Sequence, residues 1–157
     1  MKKVYSISEK LFFDLLIICL ISYIYFILLP INDFTMIVGI IFAVLYFGCN
    51  FYMGYRYKLN LLEAMVVGVY GCGMGIFLAF FALYAQLILN NSEFAIWLIF
   101  PYFAPTLSII NIFSISVNLS YPFILMIINI LLVVLGSIAS AIMNKFFNIF
   151  NVYITQK

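Results

Sequence analysis

Histidine is absent from this 157-residue chain, and charged side chains make up only 8% of it. The first absence removes the commonest metal ligand and the commonest general base near neutral pH. The second removes the surface of a soluble domain, which carries about 25% charged residues. With 68% of residues hydrophobic, a water-facing exterior could not be covered. The composition therefore implies an integral membrane protein of several spans. Seven basic and five acidic residues leave a net charge of +2, too small to expect nucleic acid as a partner.

Cysteine is scarce. Cys19, Cys49 and Cys72 all lie in apolar stretches and form neither a CxxC pair nor a metal spacing, so they read as small apolar residues. A Cys49–Cys72 bridge is geometrically conceivable across a helix hairpin, but a reducing cytoplasm disfavours it. No intramembrane pair of aspartates and no GxSxG elbow occurs. The glycines from Gly71 to Gly75 lack the lysine of a phosphate loop and lie inside an apolar run. No catalytic residue, no metal and no cofactor is expected.

What the chain does have is a stripe of small residues. Ala64, Gly68, Cys72, Gly75, Ala79, Ala82 and Gln86 recur every three or four residues, and Gly71 widens the line beside Cys72. On a helix these positions share a face. In lipid, small residues let two backbones approach and gain van der Waals contact. The rest of the chain is expected to pack on this helix.

The expected architecture is all-α, a single domain over 1–157 with four transmembrane helices at about 11–29, 35–55, 61–89 and 122–144. The basic start and apolar centre of the first segment share features with a signal peptide. Its length, Asp14 within it and the lack of a small-x-small site before Pro30 favour a true span. Residues 31–34 form a tight turn. In the second helix Gly39, Ala43, Asn50 and Gly54 repeat at near-helical spacing, and Gly48 adds another small site. A short basic turn, residues 56–60, should make helices two and three antiparallel neighbours, with the stripe facing Gly48 or Ala43. A third helix of that length would measure about 43 Å, longer than the hydrocarbon core.

Residues 90–120 read as a long outer loop between helices three and four. Pro101 and Pro105 oppose a continuous span there. Residues 114–121 alternate polar and apolar side chains, which suits an extended segment. Residues 94–103, with Trp97, Tyr102 and Phe103, should dip into the interface. Whether 94–117 is instead a fifth span is left open. Gly136 and Ser140 form a small-xxx-small pair in the last helix, and residues 145–157 read as a surface tail.

In this arrangement Lys2, Lys3, Lys10, Arg56, Lys58, Lys145 and Lys157 fall on one side, and Asp33 and Glu93 on the other. The positive-inside rule then puts both termini in the cytoplasm of a cell-membrane protein. Asp14, Asn50, Gln86 and Asn129 are polar groups within spans. They serve either as interhelical hydrogen-bond glue or as a polar path. Asp14 reads as an interfacial carboxylate paired with Lys10, and Glu63 as a helix-start carboxylate. The residues expected to pack helices together are Gly48, Gly68, Gly71, Cys72, Gly75, Ala79 and Gly136.

Gly48-Cys49, then Gly54-Tyr55, a short basic turn, then Gly68, Gly71 and Gly75 resembles a Gly-rich helical hairpin of small prokaryotic multi-pass membrane proteins of unknown function. The likeness covers about a third of the chain and departs from the pattern at Cys49 and Glu63. It implies a prokaryotic multi-pass protein and no activity. The first functional reading is a non-catalytic structural or accessory subunit meeting the bilayer, a second copy or a larger membrane complex through small-residue faces. The second is a small transporter or channel component, which discontinuous helices at the midplane would favour. An intramembrane enzyme is the third, disfavoured by the missing histidine and carboxylate pair.

Overall fold

The computed structural model describes the backbone of residues 2–155 and the side chains of residues 3–146. It is all-α, with no strand among the described residues. Helix α1 is Lys2–Leu28, beginning well before the apolar run and stopping ahead of Pro30. Helix α2 is Asp33–Tyr57. Its start is a reciprocal cap: the Thr35 N–H donates to Asn32 Oδ1 at 2.9 Å and the Asn32 N–H donates to Thr35 Oγ1 at 2.8 Å. That arrangement satisfies two amides that a helix start otherwise leaves free. Lys58 closes α2 in the left-handed region at φ 48°. Helix α3, Leu61–Gly71, starts with the Asn60 N–H donating to Glu63 Oε2 at 3.0 Å.

The expected single helix over 61–89 is two helices. Helix α4 is Gly73–Leu87, and its axis departs from that of α3 by 51° at Cys72. Glycine is a poor helix former, and three of them flank the break. They also leave room for neighbours. A Cβ on Gly71 would lie 2.7 Å from Leu11 Cδ2, one on Gly73 3.2 Å from the Phe12 ring, and one on Gly75 2.6 Å from the Tyr102 ring.

The expected outer loop is mostly helix. Helix α5, Ser92–Phe103, runs into a 3₁₀ turn at Ala104–Thr106 and then helix α6, Leu107–Ile112. Pro101 and Pro105 do not end the helical path. The tighter turn re-pairs the backbone, with the Leu107 N–H donating to Ala104 O and the Thr106 hydroxyl donating to Phe103 O at 2.8 Å. Tyr102 and Phe103 are buried in the core, not seated at the interface; Trp97 is exposed. α6 stops where Ser114 turns left-handed at φ 49°, while the Ile115 N–H reaches back to Ile110 O. The irregular stretch after it is shorter than the alternation suggested, because helix α7, Ser120–Thr155, already begins at Ser120. The expected tail thus continues α7 as far as Thr155. Lys157 and the side chains beyond 146 lie outside the described residues.

α2 lies along α7, not along α3 as the short turn suggested. The two run parallel: Asn50 meets Asn129, Gly54 meets Val133, and Lys58 meets Asn144. α3 packs between α1 and α7, and α4 pairs with α5. One end of the bundle gathers the Lys58–Asn144 hydrogen bond of 3.1 Å, the Ser137 hydroxyl donating to Leu59 O, and the first turns of α1 beside those of α3. The other end gathers Phe26, Gly39 and Ser108, with the Tyr121 hydroxyl donating to Thr106 Oγ1 at 3.0 Å. Between Lys58 and Tyr121 the chain therefore crosses the bundle once, net. α6 completes that crossing.

Among the described residues, four helices are long and apolar enough to cross a membrane: Lys3–Leu28, Asp33–Tyr57, Ser92–Ile112 and Ser120–Phe146. The bent α3–α4 pair would be a fifth only if counted as one span. α7 starting at the same end as α2 requires an even number of crossings, which agrees with four.

Candidate functional site: a buried asparagine–tyrosine cluster

Asn50 and Asn129, two of the polar candidates, meet in the middle of the bundle. Both are 0% exposed. The Asn50 amide donates to Asn129 Oδ1 at 3.3 Å and to Tyr46 O, one turn back on its own helix, at 2.9 Å. Asn129 uses both of its N–H groups, donating to the Tyr46 hydroxyl at 2.7 Å and the Tyr102 hydroxyl at 3.1 Å. The two tyrosine rings meet edge to face with centroids 6.4 Å apart. One cluster thus fastens α2, α5 and α7. In a medium without water, each such group left alone would be costly, so the network ties three helices to a single arrangement. Asn50 Oδ1 is buried and has no partner.

Both buried cysteines border this cluster. The Cys19 thiol on α1 donates to Tyr102 O at 3.6 Å, and the Cys72 thiol, at the α3–α4 break, donates to Met126 O at 3.6 Å. All three cysteines are free, so no Cys49–Cys72 bridge forms.

The other two polar candidates lie elsewhere. Asp14 is half-buried in a shallow groove between α1 and α2, with Ile17, Val44, Gly48, Cys49 and Tyr52. It forms no ion pair within 4.0 Å with a described residue, so the expected Lys10 pairing is not made. Arg56 turns instead to Tyr52, donating to its hydroxyl at 3.2 Å and lying over its ring. Gln86 is exposed on α4, and the buried position beside it is Ala85.

The small-residue stripe is buried from Ala64 through Gly68, Gly71, Cys72, Gly75 and Ala79 to Ala82. It faces three different neighbours and not α2. Gly68 lies against the Ile130 backbone of α7, Gly71 against Leu11 of α1, and Gly75 against Tyr102 of α5. Gly136 lies against the Phe51 carbonyl of α2. Gly48 differs from all other glycines in having nothing within 4 Å of the place a Cβ would take.

Tyr46 and Tyr102 are cluster members that the sequence did not single out. Tyr46 carried a signal, standing four residues before Asn50 on the same helical face. Tyr102 was obscured by reading its segment as interfacial.

The cluster consists of neutral amides and phenols. It offers hydrogen bonds and amide or hydroxyl oxygens, and no carboxylate. No group of three or more His, Cys, Asp or Glu side chains able to hold a metal occurs among the described residues. Fold and cluster together define a multi-pass α-helical membrane protein with a polar core. Comparison with family models, with curated proteins and with solved structures returns no match.

Proposed function

We propose that this chain is a non-catalytic accessory subunit of a prokaryotic cell-membrane assembly, with both termini in the cytoplasm. The observation that carries the reading is Gly48. Every other glycine has its Cβ position occupied within the chain, whereas Gly48 lines an open groove beside Asp14. A half-buried carboxylate without a cation at membrane depth is stabilised by a donor from outside. A symmetric pair through this face would bring two Asp14 side chains together, which favours a partner of different sequence carrying a basic or amide side chain. Lys10, Arg56, Lys58 and Lys145 belong to one end of the bundle and Asp33 to the other, which supports a cytoplasmic location for the first. The sequence likeness of residues 48–75 to small prokaryotic multi-pass membrane proteins supports the source.

The test is the size of the particle extracted from native membranes. The parent should run in a complex larger than its own 18.1 kDa. Gly48→Leu should release the partner yet melt like the parent, because leucine there meets no atom of the same chain. If parent and variant both run as the single chain, the accessory reading fails.

A second reading, a small transport component, is favoured by one observation. The helix break at Cys72 and the 3₁₀ turn at Ala104–Thr106 both lie beside the asparagine–tyrosine cluster, where Asn50 Oδ1 lacks a partner. Broken helices at mid-depth beside polar groups are a common build for solute and ion sites. Melting the purified chain against monovalent cations and small neutral polar solutes separates the two. A saturable rise that Asn129→Ala abolishes would favour transport over the accessory role.

A further inference from the structure

We infer that the cleft between α1 and the bent α3–α4 pair holds a bilayer phospholipid with a primary ammonium headgroup. Its ammonium lies against Glu9 and Glu63, and an acyl chain runs inward toward Phe77.

The cleft is a product of the helix break. α3 packs closely on α1, but the 51° bend at Cys72 swings α4 away from it. The space left, about 580 Å³, lies among Phe12, Phe13, Leu16, Met74 and Phe77. It continues toward the bundle end as a second space of about 430 Å³, the two sharing Tyr5, Ser8 and Tyr70. Volumes of this order suit a single small molecule or chain.

Polarity along the cleft has the order of a lipid. Glu9 and Glu63 stand at the end that gathers Lys58 and Asn144, the headgroup level. The walls nearer mid-depth are aromatic and aliphatic. Glu63 uses Oε2 to cap α3, which leaves Oε1 for a ligand. Among the described residues, the charged side chains that line the cleft are the two carboxylates of Glu9 and Glu63. Two carboxylates attract an ammonium and repel a headgroup that carries only negative charge. A primary ammonium also donates three N–H groups, as lysine does.

The test is thermal melting of the full chain in detergent with added phosphatidylethanolamine, phosphatidylcholine or phosphatidylglycerol. Phosphatidylethanolamine should raise the melting temperature saturably, and half-saturation should need about tenfold less of it than of phosphatidylglycerol, as two exposed charge pairs allow. The double variant Glu9→Gln, Glu63→Gln should lose that preference. Glutamine still caps α3, so the fold should hold. Should the double variant fail to fold, Glu9→Gln alone, at an exposed position, should narrow the preference. Equal stabilisation of the parent by all three lipids overturns the proposal, as does a preference that survives both variants. So does cross-linking of Tyr5→Cys to Val66→Cys between two copies, because a second copy would then fill the cleft.

Discussion

The carbonyl oxygen of Val133 sits where a side chain on Gly54 would begin, and the Ser137 amide nitrogen lies 2.9 Å from the same point. Gly136 repeats the contact in reverse, against the Phe51 carbonyl and the Tyr55 amide of α2. Backbone meets backbone along this seam, so no side chain can move aside. Gly54→Leu or Gly136→Leu should destabilise the bundle by about 1–3 kcal/mol or prevent its assembly. Gly48→Ala, one turn and a half away and facing open space, should leave stability unchanged or raise it by up to about 1 kcal/mol. Melting curves in detergent decide; a Gly54→Leu variant as stable as Gly48→Ala would remove the seam from the fold.

Asn129 is the hub of the buried cluster. Asn129→Leu leaves two phenol oxygens and an Asn50 N–H without their partner, and should cost about 1–3 kcal/mol. Tyr46→Phe should cost less, since it orphans a single amide N–H. Because the two share one hydrogen bond, the double variant should lose less than the two single losses combined. Additive losses would mean that the 2.7 Å contact does not contribute.

The stripe offers a second contrast. Gly75→Leu would place a side chain into the Tyr102 ring, 2.6 Å from the new Cβ, whereas Phe77 is 62% exposed. Gly75→Leu should melt well below the parent, and Phe77→Leu close to it. The reverse order would mean that the α4–α5 contact is not where the helices close.

Orientation can be read by chemistry. In a version without the native cysteines, single cysteines at Lys58 and Lys145 should resist an impermeant thiol reagent added to intact cells. Cysteines at Asp33 and Asn118 should react. Position 145 labelling together with position 118 would mean that α7 does not cross.

The helices were legible where periodicity and punctuation agree. Pro30 marks the end of α1, Asn32 and Thr35 mark the start of α2, and the stripe Ala64, Gly68, Cys72, Gly75, Ala79 and Ala82 is buried. Two local features misled for opposite reasons. No proline announces the break at Cys72, where crowding glycines alone permit it. Pro101 and Pro105 announce a break that a 3₁₀ turn largely heals. The pairing of α2 with α7 could not come from a local pattern. A short turn argues for the next helix in sequence, whereas the seam depends on Gly54 and Gly136 matching across a long separation. The candidate site was half legible: Asn50 and Asn129 stand out as amides in apolar runs. Nothing along the chain says that they touch.

That separation has a consequence for how the chain is made. Asn50 and Asn129 are 79 residues apart, so at ordinary translation speeds Asn50 enters the bilayer about 4–16 s before its partner leaves the ribosome. During that interval the Asn50 side chain and the Tyr46 hydroxyl sit in lipid with their main partner not yet synthesised. The α3–α6 segment must meanwhile be laid down around a gap that only α7 can fill. Assembly therefore closes from the last helix backward. A ribosome that stalls before Asn129 leaves a nascent chain with exposed amides, a ready substrate for membrane quality control.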